Sequence, residues 1–315
     1  MNILEKLTKP TFYFIGVTTS KSSIMKIFPL WAKELELPDT EITGYDIEVG
    51  GPDEKYREIV KHIKEERYAQ GALVTTHKID IMNIAGGFFD YFDDYAEVLG
   101  EISSISKRNG KLRGYAKDPI SAGLALEAFL PENYWVNNKN AQVFIIGAGG
   151  SGAALSAYLM RKSHSENVPS KIIISNRRLE RLQHCKQVHD RIGRTTEVEY
   201  VQVGVDKSND EIVAALPEGS LIANATGMGK DRPGSPLSDD IVFPKNSYIW
   251  EFNYRGSLEF LHQAEKQQSD RNLYVEDGWI YFIHGWTQVI GEVFDIEITN
   301  NDIERLSKIA KTTRK

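Results

Sequence analysis

The run Val143 to Leu159, VFIIGAGGSGAALSAYL, constrains the fold more than any other stretch of the chain. An apolar segment, Val143 to Ile146, leads straight into Gly147, Gly149 and Gly152, spaced G-x-G-x-x-G, and a small-residue helical segment from Ala153 follows at once. Each glycine has a separate task in such a turn. The first permits the tight bend from strand to helix, and the second lets backbone N–H groups come close to a pyrophosphate. The third lets the helix lie against the strand, with its positive end aimed at the phosphates. An ordinary tight loop also uses glycine, but the strand before and the helix after favour a dinucleotide cradle made of Gly147, Gly149, Gly150, Ser151 and Gly152.

A second strand, Lys171 to Ser175, ends in Asn176-Arg177-Arg178, with Arg181 one turn on. An NAD site normally carries an acid here for the ribose 2′-hydroxyl. This chain has guanidinium groups instead, which suit a 2′-phosphate. The plain alternative is solvated charge at the start of a helix from Leu179. The missing acid and the added base agree, and both favour NADP.

The bulk numbers set bounds. A chain of 315 residues is long enough for two domains with separate cores. A net charge of −6 argues against general affinity for nucleic acid or an anionic membrane. The single cysteine, Cys185, excludes an internal disulfide, fits a reducing cytoplasm, and has no neighbour that marks it as a nucleophile. The first residues, MNILEKLTKPT, do not read as a signal peptide, and no window reaches the apolar length of a membrane span. His184 and His189 stand five apart on a helix and do not share a face, so no metal site is expected.

Along the chain, strands are expected at Thr11 to Val17, Ile42 to Val49 and Gly71 to Thr76. Helices are expected at about Ser22 to Leu35, at Tyr56 to Tyr68 and from Lys78. That alternation predicts a parallel α/β sheet. Glu101 to Tyr115 differs, since two β-like runs flank Asn109-Gly110, a strong hairpin signal. A helix after Asp118-Pro119 and a polar linker, Pro131 to Lys139, precede the glycine-loop strand. The expected fold is α/β in two domains with a ligand cleft between them. Residues 1–122, completed by helices at 278–315, form a substrate-binding domain, and 123–277 form a Rossmann-type nucleotide domain.

Several motifs, in their order and spacing, resemble the shikimate/quinate dehydrogenase family over most of the chain. Gly16-Val-Thr-Thr-Ser20-Lys-Ser22 is similar to that family's serine-containing substrate loop, G-x-P…S-x-S-P. Gly71-Ala-Leu-Val-Thr75-Thr-His77-Lys78 resembles G-x-N-V-T-x-P-x-K, and Gly110-Lys-Leu-Arg-Gly114-Tyr-Ala-Lys-Asp118 resembles G-x-L-x-G-x-N-T-D. The glycine loop, Asn176-Arg177, Asn224-Ala-Thr226-Gly-Met228 and Phe252-Asn-Tyr254 resemble the nucleotide motifs and a strand end that carries a tyrosine near the substrate.

The resemblance implies a Lys78–Asp118 pair at the reacting hydroxyl. Oxidising a secondary alcohol requires a group that takes the hydroxyl proton as hydride leaves, and a lysine in a partly desolvated cleft suits that role. Asp118 would position the ammonium and accept a second hydrogen bond. Taken alone, Lys78 reads as a solvated helix-start lysine and Asp118 as a cap before Pro119, and it is the family order that favours the catalytic reading. Ser20 and Ser22 would hold a substrate carboxylate, although Ser22 also suits a helix cap. Thr75 would bind a ring hydroxyl, and Tyr254 would close the pocket or simply pack.

There are also departures. Thr18 replaces the loop proline, and Ser23 replaces the proline after the serine pair. Leu73 replaces a substrate-binding asparagine, and Ser103 stands where a second one is usual. Ala116-Lys117 replaces Asn-Thr, and the Thr75-to-Lys78 spacing is one residue short. Gly285 occupies the register of a substrate glutamine, with Gln288 a few residues late. His77 and His284 are new polar groups that read first as surface or core histidines.

The expectation is an NADP-dependent dehydrogenase that interconverts a ring hydroxyl and ketone on a small carboxylated substrate. The enzyme is expected in the cytoplasm, with a homodimer as the candidate assembly. The alternatives are a family member acting on another hydroxy or amino cyclohexane acid, and a non-catalytic NADP-binding sensor.

Overall fold

The computed structural model describes residues 4, 6–161, 166–193, 196–230 and 232–313. The chain divides into two compact units, one of Met1–Lys117 with Ile283–Lys315 and one of Asp118–Phe282.

The first unit carries β1 (Thr11–Gly16), α1 (Ile24–Glu34), β2 (Glu41–Asp46), α2 (Asp53–Glu65), β3 (Ala69–Val74), α3 (Lys78–Ala85), β4 (Tyr91–Phe92), α4 (Asp94–Leu99), β5 (Ser104–Arg108) and β6 (Lys111–Tyr115). Its sheet runs β2-β1-β3-β5-β6-β4. The expected parallel pairing holds for β2-β1-β3 and again between β6 and β4, but β5 runs antiparallel to both neighbours, to β6 through the Asn109-Gly110 hairpin and to β3 on its other side. The second and third strands end at Asp46 and Val74, short of the expected Val49 and Thr76, and α2 starts at Asp53 and not Tyr56.

The period-2 pattern sorts side chains between faces. Tyr13, Ile15, Ala72, Val74, Ile105 and Leu112 are buried together with Tyr56, Ile59, Val60 and Ile63 of α2. On α1, Ile24, Ile27, Phe28 and Trp31 are buried at the expected helical spacing. Phe12 meets Phe28 at 5.3 Å and Trp286 at 6.3 Å between ring centroids, and Phe14 meets Trp286 at 5.0 Å. Fully burying each such ring contributes about 1.5–3 kcal/mol.

The second unit carries α5 (Asp118–Glu127), α6 (Tyr134–Asn137), β7 (Val143–Ile146), α7 (Gly150–Leu159), β8 (Lys171–Asn176), α8 (Leu179–Ile192) and β9 (Glu197–Gln202). It continues with α9 (Asn209–Ala215), β10 (Leu221–Asn224), β11 (Tyr248–Glu251), α10 (Glu259–Glu265), α11 (Gln268–Arg271) and β12 (Tyr274–Glu276). Two helices remain, α12 (Trp279–Phe294) and α13 (Asn300–Lys311). The first of these passes into the first unit at Ile283, and the second lies wholly within that unit.

The units part at the start of α5 and not inside it. Gly123 lets α5 lie on α7 so closely that a Cβ there would stand 2.1 Å from the Tyr158 ring. The second sheet runs β12-β11-β10-β7-β8-β9 and is parallel throughout. Counted from β7 this is the doubly wound order 3-2-1-4-5-6, whose direction switches between β7 and β10. Among the described residues no helix is long and apolar enough to cross a membrane.

Candidate functional site

The switch point of the second sheet lies at the C-terminal ends of β7 and β10, where a doubly wound sheet leaves room for a ligand. Buried β7 delivers Gly147 at φ +110, a conformation that side-chain-bearing residues rarely adopt. Gly149 then caps α7 without any side-chain hydrogen bond, and a Cβ on it would meet nothing within 4 Å. A Cβ on Gly152 would stand 2.0 Å from the Gly147 carbonyl oxygen. The three glycines therefore divide their work as the spacing predicts. They make the bend, leave open space over the backbone, and allow close packing of helix on turn. The first N–H groups of α7 and the helix dipole are left facing that space, which suits an anion.

Asn176 ends β8, and its side-chain oxygen accepts the Arg178 N–H at 2.9 Å, turning the chain outward. Arg177 and Arg178 are exposed and Arg181 is half-buried on the first turn of α8. Cys185, on the same helix, is buried, and burial pushes its thiol up to about 12. At neutral pH it is therefore a packing residue with no thiolate to offer.

Across the switch point the sequence reading singled out Asn224, Thr226 and Met228, and the structure adds Glu251 and Asn253. Asn224 Nδ2 donates to Glu251 Oε2 at 2.7 Å, while its Oδ1 accepts from Thr226 N at 3.1 Å and Thr226 Oγ1 at 2.6 Å. Thr226 Oγ1 in turn accepts the Met228 N–H at 3.2 Å. Asn253 Nδ2 reaches the Thr226 and Met228 carbonyls at 3.1 and 3.0 Å, and Glu251 Oε1 at 2.6 Å. Glu251 is fully buried. That burial pushes its carboxyl up to about 7, with Asp277 acting in the same direction, while the hydrogen bonds from Asn253 and Asn224 hold it down. Tyr254 packs on Phe282 at 4.6 Å and Trp279 at 5.9 Å between ring centroids.

In the first unit the residues matched to a substrate site lie at or just beyond the C-terminal ends of β1 and β3. Thr19 donates from both N and Oγ1 to Asp46 Oδ1, at 2.8 and 2.6 Å, and so fixes the loop that exposes Ser20 and half-buries Ser22. Ser22 does not cap α1, because Ser23 holds that position without a side-chain bond. Thr75 Oγ1 donates to the Ile15 carbonyl at 3.3 Å, next to Gly16, where a Cβ would approach it to 2.9 Å.

Lys78 is half-buried and opens α3. His77 beside it is a buried tie. Its Nε2 faces the Ile47 carbonyl at 2.7 Å, so this nitrogen carries the proton, and its Nδ1 lies 3.0 Å from the Tyr56 hydroxyl. His284 is also buried, and that alone lowers its pKa to about 4.

Ser103 is buried, and its Oγ accepts the Lys117 N–H at 2.8 Å. The Ala116 N–H goes to Asp93 Oδ1 at 3.0 Å, and Lys117 Nζ donates to Glu292 Oε2 at 2.6 Å. These three ties fix the chain immediately before Asp118, the first residue of α5. Gln288 lines an open cavity of ≈ 590 Å³ together with Arg108, Tyr115, Lys117 and Glu292. Leu73 is buried in the strand row that holds Phe14 and Ser104.

No protein-family model matches the chain. The shikimate dehydrogenase (NADP(+)) of Nitrosopumilus maritimus is 24% identical over 260 residues, covering 82% of this chain and 85% of that protein. A crystal structure of a shikimate dehydrogenase in complex with NADP+ matches with a TM-score of 0.73 at 19% identity, over 98% of this chain and 96% of that one. The quinate dehydrogenase from Corynebacterium glutamicum in complex with NAD gives the same TM-score, 0.73, at 18% identity, over 96% and 99%. At that identity the structural likeness is one of fold, and the relatives in sequence carry the name. In sequence and in motif order the chain is similar to the shikimate dehydrogenases, and in fold to the shikimate and quinate dehydrogenases.

Proposed function

We propose that this protein is an NADP-dependent dehydrogenase of the shikimate type, interconverting 3-dehydroshikimate and shikimate or a close analogue. The first unit binds substrate and the second binds NADP. One observation carries the reading. The glycine turn opens at the switch point of a doubly wound sheet, and exposed arginines stand at the end of the adjacent strand. The residues fit the cofactor: Gly147, Gly149, Gly150, Ser151 and Gly152 would take the pyrophosphate, and Arg177, Arg178 and Arg181 the 2′-phosphate. Thr226 and Met228 would border the nicotinamide. When bound, NADP supplies or accepts the hydride.

The chain's own part is proton handling and orientation. In the oxidation direction Lys78 takes the proton of the reacting hydroxyl, and Asp118 accepts a hydrogen bond from the substrate and holds it in register. Ser20 and Ser22 donate hydroxyls to the substrate carboxylate, and Thr75 meets a ring hydroxyl. The single buried cysteine is consistent with a cytoplasmic location.

A second reading keeps the chemistry and changes the ring. Leu73, buried beside Phe14, offers no hydrogen bond where the family offers an amide. The Ser103 hydroxyl is spent on the Lys117 backbone, and Gly285 has no side chain. Such a pocket favours a ring acid with fewer hydroxyls than shikimate, because unmatched buried hydroxyls are costly.

The test is NADP+ reduction, followed by the absorbance of the reduced nicotinamide, with shikimate, quinate and less hydroxylated ring acids supplied separately. NAD+ and the Lys78→Ala variant run alongside. Turnover that needs Lys78 supports the proposal, and the preferred acid decides between the two readings. NADP+ binding without turnover on any hydroxy acid would overturn it in favour of a sensor.

A further inference from the structure

We infer that Glu251 is a positioning residue of the nucleotide site, acting through a one-way hydrogen-bond relay that shapes the segment Ala225–Gly229. The inference rests on the cofactor reading above and adds a residue that touches no cofactor.

The argument starts from hydrogen count. A carboxylate has no hydrogen to give, so whatever faces it must donate. All three hydrogen bonds to Glu251 come from donors: Asn224 Nδ2 at 2.7 Å, Asn253 N at 2.8 Å and Asn253 Nδ2 at 2.6 Å. Asn224 is therefore forced to turn its NH2 toward Glu251 and its oxygen toward Thr226. That oxygen collects the Thr226 N–H and hydroxyl, which leaves the hydroxyl oxygen free to accept the Met228 N–H.

Asn253 fixes the same segment from its other side, through the Thr226 and Met228 carbonyls. The segment also borders the glycine turn, since a Cβ on Gly147 would stand 2.9 Å from the Ala225 oxygen. Glu251, Asn224 and Asn253 are all buried, so water cannot replace a lost partner. The direction of every bond in the relay follows from Glu251 accepting on both oxygens, as the three donors that face it require. Burial pushes its carboxyl up, and those same donors hold it down.

The test uses a swap. Glu251→Gln is isosteric, but it puts an NH2 against the Asn224 NH2. Asn224 must then flip, and the Thr226 N–H loses its acceptor. Adding Asn224→Asp restores an acceptor on both sides, so the double variant regains every bond of the relay with the charge moved one residue. Two readouts are taken on the full-length protein: amide hydrogen exchange across 224–229 without ligand, and the Kd for NADP+ by calorimetry.

Glu251→Gln is expected to speed exchange of the Thr226 and Met228 amides and to raise the NADP+ Kd about tenfold. The double variant is expected to return both to near wild type. Unchanged exchange in Glu251→Gln, or no recovery in the double variant, overturns the relay. A wild-type protein that bound no NADP+ would instead overturn the cofactor assignment, and the exchange measurement would still decide the relay.

Discussion

Lys117 and Arg108 share one carboxylate. Glu292 takes the Lys117 ammonium on Oε2 at 2.6 Å and the Arg108 guanidinium on Oε1 at 3.0 Å, with its side chain only 14% exposed. The pair ties α12 to the strand end from which Asp118 follows. Removing the anion takes the carboxylate from a largely buried ammonium that also lies over the Tyr115 ring at 4.6 Å, whereas Arg108 keeps Asp295 at 3.0 Å. Glu292→Gln is expected to cost about 2–3 kcal/mol, below the range for a fully buried pair. Urea unfolding checks it, and a loss near that of a surface pair, under about 0.5 kcal/mol, would refute it.

The cradle makes a sharper demand. A Cβ at residue 152 would meet a backbone oxygen, which cannot swing aside as a side chain would. Gly152→Ala should therefore lose about 1–3 kcal/mol of stability and weaken nucleotide binding well beyond tenfold. Gly149→Ala, with open space above it, should fold normally and lose binding only. Calorimetry with NADP+ separates the two.

Cofactor choice should reside in the arginines at the end of β8. With Arg177 and Arg178 both changed to Ala, affinity for NADP+ should fall about 10- to 100-fold while affinity for NAD+ barely moves. Equal losses for both cofactors would mean that these arginines touch the shared part of the nucleotide.

His284 predicts an acid limit. Its pKa is held at about 4 in the fold against an ordinary 6.5, so the unfolded chain takes up a proton before the folded chain does. Its contribution is complete above pH 6.5 and is lost as pH falls toward 4, to about 3 kcal/mol at the bottom of that window. Urea midpoints across this range should fall less steeply in His284→Phe than in wild type.

The features legible in the sequence are those carried by neighbours in the chain. The glycine turn, the Asn109-Gly110 hairpin and the apolar spacing of α1 each occupy one short window, and each formed as read. The pairing of β5 was not legible, because nothing local tells a hairpin strand which edge it will join. Glu251 and Asn253 were passed over for a similar reason. In YIWEFNY they look like polar residues closing a strand, and their partners lie about one strand-helix unit away, near Asn224 and Met228. Ser103 and His77 drew notice through family position or chemistry. Their hydrogen bonds to Lys117 and Ile47 depend on how the sheet brings distant segments together.

The first unit is finished only by residues from Ile283 onward. Phe12, Phe14 and Trp31 leave the ribosome well before the groups they meet, Trp286, Phe294 and the Leu306 carbonyl. During synthesis the middle of the chain can close on itself while the opening strands still wait with aromatic rings uncovered. The nascent protein thus carries uncovered aromatic rings in β1 and α1 until α12 and α13 emerge, and a nonsense mutation before α12 would leave the first unit without its closing helices.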